Sequence, residues 1–95
     1  MQTIKIFQSL WAMEQRHPFL EEPSDDEKFE KIRSAGFNGV CIDLAAHEVE
    51  DFKKTQPLFK QHKLECMVNA FPYALDDLNP VLQLAKDFEA CFVNI

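Results

Sequence analysis

The stretch KFEKIRSAGFNGVCIDL, residues 28–44, decides the fold because a helix, a helix stop and a buried strand follow one another in it. Phe29, Ile32 and Ala35 recur at helical spacing, and Gly36 suits the left-handed conformation that commonly ends a helix. After a turn at residues 38–39 comes an apolar run without alternation. Such a run predicts a strand that is covered on both faces, as in a parallel sheet.

The segments on either side of this stretch continue the alternation of strand and helix. Strands are predicted at residues 3–9, 39–44, 65–70 and 91–95. Helices are predicted at residues 25–35, at residues 49–62 and from about residue 78. The resulting order, β-α-β-α-β-α-β, predicts an α/β fold with a parallel sheet and right-handed crossovers.

Local signals place the ends of these helices. Ser24 and Glu27 have the spacing of a capping box, which predicts that the first helix begins directly after the serine. Pro57 lacks an amide hydrogen and should kink the second helix or divide it in two. The third helix begins either with Asn79 as its cap or nearer Asp76. Its predicted apolar face consists of Leu78, Val81, Leu82, Ala85 and Phe88.

Composition and charge exclude several classes of partner. The chain has 95 residues, 46% of them hydrophobic, and a net charge of −6. The acidic balance predicts no nucleic-acid partner and no anionic membrane surface, because both bind clustered lysine and arginine. No run approaches the ~20 apolar residues of a membrane-spanning helix, and the N-terminus lacks the pattern of a signal peptide. We therefore expect a cytoplasmic protein.

The cysteines support the same compartment and the same segmentation. Cys41, Cys66 and Cys91 are odd in number and lie in apolar strand-like runs, so we interpret them as small buried hydrophobic residues in a reducing cytosol. Their spacing is 25 residues, and the spacing of Asn69 and Asn94 is the same. This period fits one helix, one strand and the turns between them.

Four parallel strands with three intervening helices are half of an eight-stranded β/α barrel, which takes ~250 residues in full. We therefore expect residues 1–95 to form one domain, a half-barrel that is the N-terminal half of a longer protein. An open sheet of 95 residues is the alternative.

At this point the sequence resembles the xylose isomerase-like barrels, the sugar phosphate isomerase/epimerase family. Three features carry the resemblance: a strand that leads into Ser9-Leu10-Trp11, the helix-to-strand segment KIRSAGFNGV at residues 31–40, and the acidic strand end Asp43. The segments VEDF at residues 49–52 and LECMVN at residues 64–69 match the later pattern. The resemblance covers nearly the whole chain but only the first half of the family's barrel. The sequence departs from the family at Lys63, where a glycine is usual.

The resemblance implies an enzyme that isomerises or epimerises a small sugar or its phosphate by removing a proton next to a carbonyl. It also implies a divalent metal ion (Mn, Mg, Zn or Co), whose ligands we expect beyond residue 95, so the segment alone should be inactive. Two alternatives stay open: a non-catalytic half-barrel that self-associates into a homo-oligomer, and a DNA-repair endonuclease-like member of the same fold, which the charge disfavours.

Candidate substrate-binding residues lie where barrel enzymes keep their chemistry, at the carboxyl ends of the strands. Trp11 could stack on a sugar ring or pack its own loop. Asp43 could bind a hydroxyl group, act as a base or cap the next helix, and Asn69 could bind a hydroxyl group. Phe71 is a candidate wall of the pocket. Asp43 and His47 are four residues apart but form only a weak metal-ligand pattern, and we assign no catalytic residue or metal ligand.

Overall fold

The computed structural model describes residues 4–14, 19 and 21–95. Within that part, four strands form one sheet in the order β1-β2-β3-β4, and every neighbouring pair is parallel. The strands are β1 Phe7–Ser9, β2 Gly39–Leu44, β3 Glu65–Ala70 and β4 Phe92–Asn94. The predicted parallel α/β arrangement is confirmed, and strands that follow one another in the chain are also neighbours in space, as they are in a β/α barrel.

Short strands at both edges account for the main differences from the predicted boundaries. β1 is shorter than residues 3–9, because residues 4–6 precede the strand and residue 3 lies outside the described residues. β4 likewise covers only the middle of residues 91–95. Asn69 and Asn94, which are 25 residues apart in the chain, are partners in the β3–β4 register.

The helices connect successive strands. They are α1 Asp25–Ser34, α2 Val49–Phe52, α3 Gln56–Gln61 and α4 Leu78–Asp87. The predicted second helix is two segments, α2 and α3, joined by a 3-10 turn at Lys53–Thr55. Pro57 lies in the first turn of α3, where its missing amide hydrogen breaks no helical bond.

The helix α1 begins as its sequence predicts. The Ser24 hydroxyl accepts a hydrogen bond from the Glu27 amide, with 3.2 Å between the heavy atoms. Only this half of the predicted capping box is formed. At the other end, Gly36 has φ of +93° and the Phe37 amide bonds the Ile32 carbonyl oxygen at 3.3 Å, so the predicted glycine stop is confirmed.

The helices α3 and α4 end with the same geometry but without glycine. Lys63 has φ of +55°, at the position where the resemblance leads one to expect glycine, and the following amide of Leu64 bonds the Phe59 carbonyl oxygen at 2.9 Å. Glu89 has φ of +54° after α4. The three helices that lead directly into strands, α1, α3 and α4, therefore do so through a left-handed residue, and two of them have a side chain that is strained there.

Helical turns begin near Asp76, as the alternative prediction states, and α4 itself begins at Leu78. The Asp77 carboxylate accepts hydrogen bonds from the amides of Tyr73 and Ala74, both at 3.0 Å, and this turns the chain into a 3-10 turn at Leu75–Asp77. The prediction that Asn79 is the cap is wrong, because Asn79 already lies inside α4.

The apolar face of α4 is also rotated from the predicted one. Leu84 is 1% exposed, whereas Leu82 is 43% exposed. Leu82 lies roughly a third of a turn from the centre of the buried stripe, because successive residues are about 100° apart. The face that contacts the sheet therefore centres on Val81, Leu84, Ala85 and Phe88.

The four described helices pack against one face of the sheet. The buried side chains of that face, which we call the helix-packed face, are Val40, Ile42, Leu44, Cys66, Val68 and Ala70. Three aromatic rings continue the core between the helices: Phe29 meets Phe59 edge-on with 4.9 Å between ring centroids, and Phe59 meets Phe88 at 5.6 Å. This packing buries Phe29 completely.

The opposite face of the sheet carries no described helix. Because side chains alternate along a strand and register partners point the same way, its members follow from the register. We call it the open face; it consists of Phe7, Ser9, Gly39, Cys41, Asp43, Glu65, Met67, Asn69, Phe92 and Asn94. Asp43 and Asn69 are half-buried there, whereas Phe92 and Asn94 are exposed.

Asn38 holds the amino ends of three strands together. Its side-chain oxygen accepts a hydrogen bond from the Ile6 amide at 2.8 Å, and its own amide donates to the Ile6 carbonyl oxygen at 2.8 Å. Its carbonyl oxygen accepts from the Glu65 amide at 3.0 Å. Asn38 thus extends the hydrogen-bonded pairing of β2 with β1 and with β3 by one residue.

Candidate substrate-binding site

The polar side chains that the sequence predicts as functional lie at the carboxyl edge of the sheet. Parallel strands end at the same edge, so β1, β2, β3 and β4 bring their last residues together there. Asp43 is the register partner of Asn69, and Asn69 is the partner of Asn94. The three side chains therefore form one polar row across the open face.

Asp43 and Asn69 form a hydrogen-bonded pair. The Asn69 side-chain amide nitrogen donates to Asp43 Oδ1 at 2.9 Å and also to Cys41 Sγ at 3.1 Å. The carbonyl oxygen of Asn69 and the second oxygen of Asp43 take no part in this contact, so both can act as acceptors. Two such acceptors suit the hydroxyl donors of a polyol or sugar.

The Cys41 thiol lies beside this pair and accepts a hydrogen bond from Asn69. Cys41 is 7% exposed, and burial, followed by the nearby charge of Asp43, raises the pKa of the thiol. A thiol with a raised pKa stays protonated near neutral pH, so Cys41 is a packing and hydrogen-bonding group at this site and a poor nucleophile.

Trp11 lies at the end of β1, in a 3-10 turn at Trp11–Met13. The preceding residue, Leu10, anchors the turn: its side chain is buried and its amide bonds the Cys41 carbonyl oxygen at 3.0 Å. The indole is 55% exposed. Trp11 and Asp43 line the same cavity, which has a volume of about 270 Å³. The structure thus brings these two predicted residues to one site.

The walls of this cavity are charged. They come from loop β1–α1, from α1, and from the segment after β2; the charged members besides Asp43 are Glu14, Asp25, Lys28, Glu48, Asp51 and Lys54. Both lysines already have carboxylate partners, since Lys28 pairs with Glu22 and Lys54 pairs with Asp51 at 2.8 Å. The cavity therefore has an acidic excess, which favours neutral hydroxylated ligands over anions.

Lys28 is the wall residue that the sequence reasoning missed. It is 6% exposed although it is charged, and its ion pair with Glu22 ties the end of the first loop to α1. Its spacing of four from Ile32 was the available signal, because residues four apart lie on the same side of a helix.

Phe71 and His47 stand apart from the cavity. Phe71 follows β3, is 56% exposed, and does not belong to the cavity lining; its amide continues the pairing with β2 by bonding the Leu44 carbonyl oxygen at 3.1 Å. His47 lies in a 3-10 turn at Ala46–Glu48 with an exposed side chain. Within residues 4–14, 19 and 21–95, no three His, Cys, Asp or Glu side chains come together in a way that could hold a metal ion. We derive no metal-dependent step from these residues.

His62 belongs to the helix layer. Its Nε2 lies 2.7 Å from Asp26 Oδ1 and its Nδ1 lies 3.4 Å from Glu30 Oε2, so the ring bridges to two carboxylates of α1. The contact between Phe29 and Phe59 brings α1 and α3 close enough for this bridge. The bridge is structural.

The cysteines show how burial follows position in the sheet. Cys41 and Cys66 are buried as predicted, but Cys91 is exposed, because it directly precedes the edge strand β4. All three are free thiols.

Comparisons of the chain with models of protein families, with curated proteins and with solved structures find no match. None of the described helices is long and apolar enough to cross a membrane. The fold and the site geometry are therefore the basis for a functional proposal.

Proposed function

We propose that this chain is half of a β/α-barrel isomerase or epimerase that binds a small sugar at the carboxyl edge of its sheet. The observation that carries the proposal is the hydrogen-bonded pair of Asp43 and Asn69 on the open face, beside a cavity that Trp11 also lines. A carboxylate and an amide next to an exposed indole provide the two contacts that a sugar needs, acceptors for its hydroxyl groups and a flat surface for its C–H face.

Each residue has a definite role in this proposal. Asp43 accepts a hydroxyl proton of the sugar through the oxygen that Asn69 does not occupy, and Asn69 holds the carboxylate in place while its own carbonyl oxygen accepts a second hydroxyl. Trp11 covers the ring from the first loop. Phe71, further along the same edge, contacts a substrate that extends past the cavity.

The reaction class comes from the resemblance described above: removal of a proton next to the sugar carbonyl and its return to a neighbouring position. Resonance with the carbonyl is what makes such a proton removable by an amino-acid base. The implied divalent metal would polarise the sugar oxygens when bound, but the described residues do not form its site. We further propose a reducing, cytoplasmic location, which suits three free thiols.

Binding can be tested directly, because Trp11 is the single tryptophan of the chain and its fluorescence reports on this site. We expect a saturable change in its emission on titration with neutral aldoses, ketoses or cyclitols, and a weaker response to their phosphates. Asp43→Asn and Asn69→Ala should each weaken binding about tenfold or more, since a good hydrogen bond to a charged group contributes roughly 1.5–3 kcal/mol.

Asp76→Asn is the matched control, because Asp76 is an exposed carboxylate at the same edge of the sheet. It should leave the affinity unchanged. No saturable response to any sugar, or an equal loss in all three variants, would refute sugar binding at this site.

Chemistry is tested separately from binding. We expect deuterium from the solvent to enter the sugar next to its carbonyl when the complete barrel and a divalent metal are present, as followed by NMR. Binding that is sensitive to Asp43 without any exchange would identify a sugar-binding module in place of an isomerase.

A further inference from the structure

The two faces of the sheet differ in burial. The six side chains of the helix-packed face are at most 6% exposed. On the open face, the aromatic side chain of Phe92 is 56% exposed, and Phe7 and Met67 are only half-buried. Within the described part of the chain, no element covers these apolar side chains, and a sheet is stable when both faces are packed.

The edge at β1 carries backbone groups that point away from the sheet. The Ile6 carbonyl oxygen accepts from Asn38 and the Leu10 amide donates to Cys41, so both residues direct their backbone groups toward β2. Because direction alternates along a parallel strand, Phe7 and Ser9 direct theirs outward.

The edge at β4 has the same character. The Cys91 amide donates to the Cys66 carbonyl oxygen at 2.9 Å, so Cys91 faces β3. By alternation, Phe92 and Asn94 direct their amide and carbonyl groups outward. No described strand lies beside either edge, and such edges pair readily with another strand.

Charge permits a second copy to approach this face. The chain carries a net charge of −6, yet Asp43 and Glu65 are the only charged residues among the ten that define the open face. At the amino edge, Lys5 and Glu65 neutralise each other with 2.9 Å between Nζ and Oε1. Repulsion between two copies is therefore smallest when their open faces meet.

Symmetry selects how the copies fit. Because β1 and β4 run in the same direction, a twofold axis parallel to the strands places β1 of one copy beside β4 of the other at both edges at once. Pairing β4 with β4 instead leaves both β1 edges unpaired. Eight parallel strands also make the barrel whose interior side chains just fill.

We propose that two copies of this chain close an eight-stranded parallel barrel, in which β4 of each pairs with β1 of the other and the two open faces form the interior. The register offset at the two new pairings is even, because an odd offset would turn the open-face side chains outward. Both pairs of Asp43 and Asn69 then lie at the same mouth of the barrel. The inference rests on the sheet alone and does not depend on the substrate.

Sedimentation of the 95-residue chain tests the stoichiometry. We expect a dimer with twice the 11.0 kDa mass of one chain. Phe92→Lys places a charge in the interior and should raise the dimer dissociation constant at least tenfold. Leu82→Lys is the matched control, since Leu82 is an exposed apolar residue on the outer side of α4, and it should leave the dimer unchanged. A monomer, an open-ended series of oligomers, or a dimer that tolerates Phe92→Lys would overturn the proposal.

A measurement on the unaltered chain identifies the pairing. In a mixture of ¹⁵N-labelled and ¹³C-labelled chains, intermolecular NOEs should connect β4 of one copy with β1 of the other. Intermolecular NOEs between two β4 strands, or between helices only, would overturn the barrel even if the mass is that of a dimer.

Discussion

Replacing Gly39 with alanine should destabilise this protein more than the same change at Gly36, although both glycines lie in one helix-to-strand turn. A Cβ atom at Gly39 would lie 2.4 Å from the Glu65 carbonyl oxygen and 2.4 Å from the Phe7 ring. At Gly36 nothing lies within 4 Å of the added atom, but φ is +93°. At Gly39 the added Cβ is disfavoured by steric overlap, and at Gly36 it is disfavoured by the left-handed backbone conformation.

The magnitudes follow from these contacts. Ordinary contact begins at 3.4 Å, so Glu65 and residue 39 must separate by about 1 Å. That separation strains the adjoining β2–β3 hydrogen bonds, and over-packing of this kind costs about 1–3 kcal/mol. Turning the Phe7 ring off its rotamer adds roughly 0.5–1.5 kcal/mol, so we expect about 1.5–4.5 kcal/mol in all for Gly39→Ala.

The expected cost at Gly36 is smaller. A left-handed alanine costs roughly 1–2 kcal/mol, and alanine recovers about 0.4–1 kcal/mol because it restricts the unfolded chain. The net cost of Gly36→Ala is therefore near 1 kcal/mol. Gly36→Asn should cost less still, because asparagine tolerates the left-handed conformation, whereas Gly39→Asn should cost more than Gly39→Ala.

Urea unfolding at one fixed protein concentration measures these free energies, since association would otherwise shift them. Adding Phe7→Ala to Gly39→Ala should relieve only part of the cost, because the backbone oxygen of Glu65 stays in place. The reasoning fails if Gly39→Ala costs no more than Gly36→Ala, or if the Phe7 change restores full stability.

Three further experiments test the helix ends, the core and the thiols. Lys63→Gly should raise the free energy of unfolding by about 0.5–1 kcal/mol, because glycine is unstrained at φ of +55°; a loss of stability on urea unfolding would contradict this. Phe29→Ala should lower it by about 3–5 kcal/mol and Phe29→Leu by clearly less, since the buried ring packs edge-on against Phe59; equal losses would show that the aromatic contact adds nothing. Cys91 should react first with a thiol reagent at pH 8, whereas burial raises the pKa of Cys66 to about 12, so that Cys66 reacts only on unfolding. The unfolded Cys66 thiol loses its proton first, so stability should fall as the pH rises above about 8.5, and an equal fall in Cys66→Ala would contradict the assignment.

The parts of the fold that could be predicted from sequence are those with local causes. Ser24 caps α1 through a bond three residues away, and Gly36 ends the same helix through its own φ angle. The two-part second helix follows in the same way from Pro57. Alternation of such units was then sufficient to predict the parallel sheet.

The features that were predicted wrongly depend on contacts between residues that are far apart in the sequence. Leu82 and Leu84 flank the same apolar stripe of α4, and only the position of the sheet decides which of them is buried. Cys91 resembles Cys41 in its local sequence, but it precedes an edge strand and is exposed. The length of that strand and the absence of a described neighbour cannot be inferred from the residues themselves.

The candidate site was predictable as a set of residues but not as an arrangement. Their positions at the ends of predicted strands indicated that Asp43 and Asn69 lie at one edge of the sheet. Their hydrogen bond, however, requires the particular β2–β3 register in which the two residues are partners. That register is set by many backbone contacts together. Phe71 lies at the same edge and remains outside the cavity, because it follows β3, whereas the cavity is lined by Asp43 and by residues that follow β1 and β2.

The hydrogen bonds of Asn38 also affect how fast this protein deamidates during storage. An asparagine followed by glycine is the dipeptide most prone to deamidation, since the glycine nitrogen meets no side chain as it attacks the asparagine amide carbon. Here the Asn38 side-chain oxygen is held by the Ile6 amide at 2.8 Å, and Gly39 is fixed at the start of β2. Both contacts restrain the side-chain amide and the attacking nitrogen, and this slows the attack in the folded chain. Isoaspartate at position 38 forms chiefly while the chain is unfolded. The amount that accumulates in a stored sample therefore measures the time that the chain has spent unfolded.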